Sequence, residues 1–297
     1  MRYSRPVRIV LGILIFAALF WYEGMWYQNS VMGSEVEAAV IRAAERAEKR
    51  RLEDEAEDAA VIEAEPEVQT TPEPTPRPEE VKASALGLPS PPEIDVTEFQ
   101  YVLVNGDHPL DPITYEPENL VYLNMTGDDT EIRTAYDGNR QVVDEMIAQP
   151  LIDMLQACKS AGLPVYLSSG YRSYDSQRQN FERVCANNGI SDGKNAEGNY
   201  ITMPAGHSEH QSGLCIDITD RYYEVKNDDI VNSETVQWLA ANCADYGFIL
   251  RFPADKRDIT HVMSESWHFR YVGEEAAKYI TENNLCLEEF LALYGVE

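Results

Sequence analysis

Eight prolines fall between Glu65 and Ile94: Pro66, Pro72, Pro74, Pro76, Pro78, Pro89, Pro91 and Pro92. A tract this rich in proline is unsuited to a long helix or a central strand, because each ring fixes φ and removes a backbone donor. It reads as extended, semi-rigid polyproline II, which makes a spacer. The chain is thereby divided. Upstream, from Gly33 to about Ala64, Glu, Ala and Arg dominate and aromatic residues are absent. That segment reads as a disordered tether or a charged helical stalk. Its stripe of Val36, Val40, Ala43 and Ala44 is too poor in Leu and Ile to argue for a coiled coil. A folded domain is expected downstream, from Thr97.

The first residues have a different character. Arg2, Arg5 and Arg8 precede an unbroken apolar run from Ile9 to Tyr22, and Met25-Trp26-Tyr27 resumes it after Glu23 and Gly24. Taken through Tyr27 the run approaches the ~20 residues a membrane-spanning helix needs. Trp21, Tyr22, Trp26 and Tyr27 are suited to the interface, and the preceding arginines place the N-terminus in the cytoplasm. A cleaved signal peptide is the rival reading, but no small-x-small site directly follows the run. The expected plan is a cytoplasmic tip and transmembrane signal-anchor over 1–30, an acidic stalk and proline-rich linker over 31–96, and a domain over 97–297. The protein is then a single-pass protein of the cell membrane, with its domain outside the cytoplasm.

The formal net charge is -27, from 51 acidic and 24 basic residues. Nucleic acid is excluded as a partner on that ground, since phosphate binding needs clustered Lys and Arg. Attraction to anionic lipid is excluded as the membrane tether too. The cysteines (Cys158, Cys185, Cys215, Cys243 and Cys286) form no C-x-x-C pair, which argues against a thiolate zinc site. An exported location permits a disulfide. The odd number leaves at least one thiol unpaired in a monomer, with Cys215 a good candidate.

Within the domain, Phe99–Asn105 reads as a strand ending in a turn. Val143, Met146, Ile147, Leu151, Met154 and Leu155 recur at helical spacing, predicting a helix from Gln141 to Ala161 that Pro150 should kink or split. A short buried strand at Pro164–Ser168 and a helix at Tyr174–Asn187 follow. Leu214, Ile216 and Ile218 alternate with Cys215 and Asp217, as in a strand with one buried face. A helix over 234–246, a strand over 248–252, a segment over 265–272 and two closing helices complete the list. Strands and helices mix without βαβ regularity, so the class is α+β, a small mixed or antiparallel sheet packed by helices.

Two short stretches carry the chemistry: Ser208-Glu209-His210-Gln211-Ser212-Gly213-Leu214-Cys215-Ile216-Asp217 and Glu265-Ser266-Trp267-His268. On an extended segment entered through a turn at Gly213, His210 and Asp217 can converge on one metal. His268 would complete the set, and Glu265 would address the bound water. Two imidazoles, a carboxylate and a free glutamate are what a hydrolytic zinc site requires, with one position left to water.

From about Phe99 to Val272 the chain resembles the VanY-type carboxypeptidases, zinc peptidases that trim peptidoglycan stem peptides. Ser208-x-His210-x-x-Gly213-x-Cys215-x-Asp217 is similar to that family's S-x-H-x-x-G-x-A-x-D, and Glu265-Ser266-Trp267-His268 to its E-P-W-H. Ser169-Gly170-Tyr171-Arg172-Ser173-Tyr174 with Gln177 is similar to its S-G-Y-R-S-Y-x-x-Q. The opening Val104-Asn105, with Pro109-Leu110 and Pro117-Glu118-Asn119-Leu120, is similar as well. The resemblance implies one Zn2+ per chain held by His210, Asp217 and His268, with Glu265 as base. It also implies that Arg172 stabilises the oxyanion, and that Arg172, Gln177 and Ser208 hold the substrate's terminal residue or carboxylate. Cys215 departs from the family's small Ala, either packing as a small hydrophobe or adding a soft sulfur near the metal. Ser264 and Ser266 stand where Tyr and Pro are common, and His261 where Gly is common. His207 reads as structural or supporting rather than as a ligand, and His108 as a surface residue.

The implied activity is release of a terminal D-alanine from the D-Ala-D-Ala bond of stem peptides at the cell wall. An L,D-carboxypeptidase acting on tetrapeptide stems is the alternative within the class. A non-catalytic wall-binding module is a further alternative, disfavoured by Glu265, for which such a module has no need. A structural stalk protein is the last, in which the N-terminal third contacts a wall-synthesis or division partner.

Overall fold

The computed structural model describes residues 76–123, 133–134, 141–220, 226 and 228–296. The expected anchor and the stalk up to residue 75 lie outside the described residues. Among the described residues no helix is long and apolar enough to cross a membrane.

Seven strands are described: β1 (Leu120–Tyr122), β2 (Arg133–Thr134), β3 (Val142–Asp144), β4 (Tyr166–Ser169), β5 (Cys215–Thr219), β6 (Phe248–Phe252) and β7 (Glu265–Tyr271). β1 and β3 pair antiparallel in a small ribbon. The others form a five-stranded sheet in the order β2-β4-β5-β7-β6, mixed because β2 runs parallel to β4 while the remaining pairs are antiparallel. The helices are α1 (Pro78–Ala85), α2 (Glu145–Ser160), α3 (Tyr174–Asn188), α4 (Glu234–Asn242), α5 (Arg257–Thr260), α6 (Glu274–Glu282) and α7 (Leu287–Leu293). The α+β class and the small mixed sheet packed by helices agree with expectation.

Pleating divides the work of the central strands, because successive side chains point to opposite faces. Leu214, Ile216 and Ile218 join Phe248 and Phe269 in a core closed by Ile147, Leu151, Met154 and Leu155 of α2 and Leu239 of α4. The other face of β5 and β7 carries Cys215, Asp217, His268 and Arg270. Every residue of β5 is buried, so the strand has two covered faces rather than the expected one. A second core joins Ile249 and Val272 to α6 and α7, and Ala83 of α1 packs into it.

Local chemistry sets the boundaries. Asp144, Ser173 and Ser233 cap α2, α3 and α4, each side chain accepting from the first turn, worth ~1 kcal/mol apiece. The cap at Asp144 shortens the predicted 141–161 helix, since Val142–Asp144 is spent on β3. Pro150 lies inside α2 without splitting it. Phe99–Tyr101 is a 3-10 turn rather than the start of a strand. The carbonyls of Gln100 and Val102 accept from the Arg270 guanidinium at 3.0 and 2.8 Å instead of from a neighbouring strand. The proline-rich segment also folds back onto the domain upstream of Thr97. Tyr279 donates to the Pro89 carbonyl at 2.8 Å and Tyr294 to that of Pro92 at 2.7 Å, and Lys82 donates to the Ala292 carbonyl at 3.0 Å.

Candidate metal centre

A single 3-10 turn, Glu209–Ser212, feeds β5 and places the first imidazole. Gly213 ends it at φ +76°, and a Cβ there would meet the Asp144 nitrogen at 3.0 Å. Glycine is required both for the left-handed backbone and for this approach, and the Gly213 carbonyl accepts from that same nitrogen at 3.0 Å. His210 Nδ1 lies 2.7 Å from the Gly170 carbonyl. A carbonyl can only accept, so Nδ1 carries the proton and Nε2 presents a lone pair. Nε2 stands 3.4 Å from Asp217 Oδ2.

The sheet register sets His268 directly opposite Asp217, with Nδ1 3.0 Å from Asp217 Oδ1. Its Nε2 lies 3.2 Å from Glu209 Oε2. Burial alone would lower the His268 pKa, but the Cys215 thiol, Asp217 and Glu209 together raise it well above the usual imidazole range. The Lys226 ammonium also reaches Asp217 Oδ2. Burial opposes the Asp217 charge, yet Lys226 and the two imidazoles hold its carboxyl well below the usual range.

Glu265 begins β7, partly exposed, with Oε2 3.7 Å from His268 Nδ1. Burial raises its pKa, and Asp217 adds to the rise while His268 opposes it. Arg172, drawn down by burial, lies within electrostatic range of Asp217, Cys215 and Glu265. Its Nη1 donates to Gln177 Oε1 at 2.5 Å, and Gln177 Nε2 donates to the Met203 carbonyl at 2.6 Å. Both ends of the Gln177 amide are thus engaged within the protein, and Gln177 stands one step behind Arg172. Arg172 Nε is buried without a hydrogen-bond partner. Ser208 is buried at the head of the 3-10 turn, its carbonyl accepting from Gln211 at 3.0 Å. His207 Nδ1 is tied to the Asn105 carbonyl at 2.9 Å, a supporting role.

His210, Asp217, His268 and Glu265 lie together, and behind them lies a network that sequence reasoning missed. Glu209 Oε1 accepts from Arg251 Nε at 2.7 Å and Arg270 Nη1 at 2.8 Å. Arg251 in turn grips Glu288 through Nη1 and Nη2 at 2.8 and 2.7 Å. Both guanidinium groups are fully buried. Burial would raise the Glu209 pKa, but the two arginines and His268 depress it far below the usual range. A carboxylate on the outer nitrogen of a ligating histidine fixes the ring and raises its basicity. An arginine within the apolar strand Phe248–Phe252, and another two residues beyond His268, were the available signals.

The VanY family model, described as D-alanyl-D-alanine carboxypeptidase, matches residues 140–274. The putative carboxypeptidase YodJ of Bacillus subtilis (strain 168) is 37% identical over 190 residues, covering 63% of this chain and 65% of YodJ. A D-alanyl-D-alanine carboxypeptidase of Enterococcus faecalis is 34% identical over 203 residues, covering 66% of this chain and 67% of that protein. The chain belongs to the VanY family.

These two matches span about two thirds of each relative's length. Among solved structures, the LdcB LD-carboxypeptidase is similar at a TM-score of 0.55 and 35% identity, covering 64% of this chain and 84% of that one. The donor chemistry fits zinc: two imidazoles each anchored through one nitrogen, and a buried carboxylate between them.

Proposed function

We infer that this chain is a zinc-dependent carboxypeptidase that releases a terminal D-alanine from peptidoglycan stem peptides by cleaving the D-Ala-D-Ala bond. The observation that carries this reading is the approach of both imidazoles to one buried carboxylate, with Glu265 beside them. His210, Asp217 and His268 serve as the ligands. Zinc there supplies Lewis acidity and brings the pKa of water down to about 7.

The protein's own groups do the rest. Glu265 takes the proton of the attacking water and delivers it to the leaving amine. Arg172 offers a charged donor to the carbonyl oxygen as it gains charge, and loss of one such donor typically costs ~10²–10³ in rate. The unpartnered Arg172 Nε supports that role, because a guanidinium fork matches an oxyanion or a carboxylate. Gln177 holds Arg172 in place, and Ser208 borders the substrate's terminal residue. The export segment over 9–27 tethers the domain to the membrane, with the N-terminus cytoplasmic and the site facing the wall.

The likeness to LdcB favours a second reading, L,D cleavage of tetrapeptide stems. Incubating the purified chain with defined pentapeptide and tetrapeptide stems separates the two when the released residue is identified. Release of one D-alanine from the pentapeptide alone is expected. Release from the tetrapeptide alone transfers the assignment to L,D cleavage, and no cleavage of either sinks the enzymatic reading.

A further inference from the structure

We propose that Cys215 is a fourth protein donor to the same metal, its Sγ joining His210, Asp217 and His268. The proposal rests on the zinc reading above and goes beyond its ligand set. The donor atoms of His210, Cys215 and His268 all lie within 4.8 Å of one another, and all three residues are buried. Cys215 and Asp217 are two apart on β5 and so project from the same face.

The surroundings of this thiol differ from those of the thiols in the apolar core. Cys158 and Cys243, equally buried, lie inside the apolar core between the sheet and its helices. Cys215 is fully buried yet belongs to none of the apolar clusters. Its strand neighbours Leu214 and Ile216 take the apolar face, which leaves the sulfur among imidazole nitrogens. Those nitrogens are already prepared for a metal. The outer nitrogen of His210 is spent on Gly170 and that of His268 on Glu209, at 2.7 and 3.2 Å. Sulfur alongside imidazole is a donor combination that zinc accepts readily. As the metal–sulfur bond forms, the S–H bond breaks and the proton leaves to solvent. His210, Asp217, His268 and Cys215 would then be the protein groups holding the ion, which would still supply Lewis acidity to a water in the five-coordinate expansion that zinc sites tolerate.

Cobalt(II) reports sulfur ligation directly, through thiolate-to-metal charge-transfer absorption in the near ultraviolet. The full chain and its Cys215→Ala variant are stripped of metal, loaded with cobalt(II) and compared. The expected result is a charge-transfer band in the wild type that vanishes in the variant while the visible cobalt bands persist. Zinc affinity, measured by competition with a chromophoric chelator, should fall in Cys215→Ala by no less than the ~10–100-fold that loss of an outer partner costs. Visible cobalt bands without the charge-transfer band in the wild type would overturn the sulfur ligand and leave the zinc reading intact. Failure of both proteins to bind cobalt or zinc would overturn both.

Discussion

His268 is the most heavily supported side chain in the site. One nitrogen faces Asp217 and the other faces Glu209, whose carboxylate is pinned by two buried arginines. Charges so deeply buried persist only when fully paired, and breaking such a pair typically costs ~3–5 kcal/mol. Glu209→Gln keeps the shape and removes the charge. We expect it to weaken zinc binding ~10–100-fold by chelator competition, because His268 loses the group that fixes its ring and strengthens its inner nitrogen as a donor. Unchanged affinity in a folded Glu209→Gln protein would mean that the network serves stability alone.

At the scale of the element, the site is one tight turn and two paired strands. The turn ends at Gly213 because a Cβ would strike Asp144, and the register of β5 against β7 brings Asp217 to His268. A similar backbone demand is met less comfortably after α5, where exposed His261 sits at φ 54°. The left-handed region costs a residue with a Cβ ~1–2 kcal/mol, partly offset because glycine enlarges the unfolded ensemble. His261→Gly should therefore raise stability by about 1 kcal/mol in denaturant unfolding; a loss of stability would show that the side chain matters more than the backbone. Much of the architecture was legible from such local signals. The spacing of Ile147, Leu151, Met154 and Leu155 located α2, and the alternation from Leu214 to Ile218 located β5. The strand expected at Phe99–Asn105 failed because its carbonyls are satisfied by Arg270, a partner distant in sequence. Glu209, Arg251 and Glu288 were missed for the same reason. A buried charge network is a property of three-dimensional pairing, and its members look like ordinary surface charges in a sequence.

Across the whole molecule, the part of the proline tract from Pro76 to Pro92 belongs to the folded body, closing over α6 and α7 through carbonyls that accept from Tyr279 and Tyr294. Proline suits this covering role, since it leaves carbonyls to accept without needing its own donor satisfied. All five cysteines are buried and free, so the disulfide that export would permit is not formed. The fold is held by its two apolar cores and by the charge network that joins β6 and β7 to α7. Metal binding and catalysis can be separated in one experiment. Glu265→Ala, purified alongside the wild type, is assayed for bound zinc and for D-alanine release from a pentapeptide stem, each with and without a chelator. One zinc per chain is expected in both proteins, with chelator-sensitive release by the wild type and release slowed ~10²–10⁴-fold in the variant. Wild-type release indifferent to the chelator, or undiminished release by zinc-loaded Glu265→Ala, would contradict the zinc mechanism.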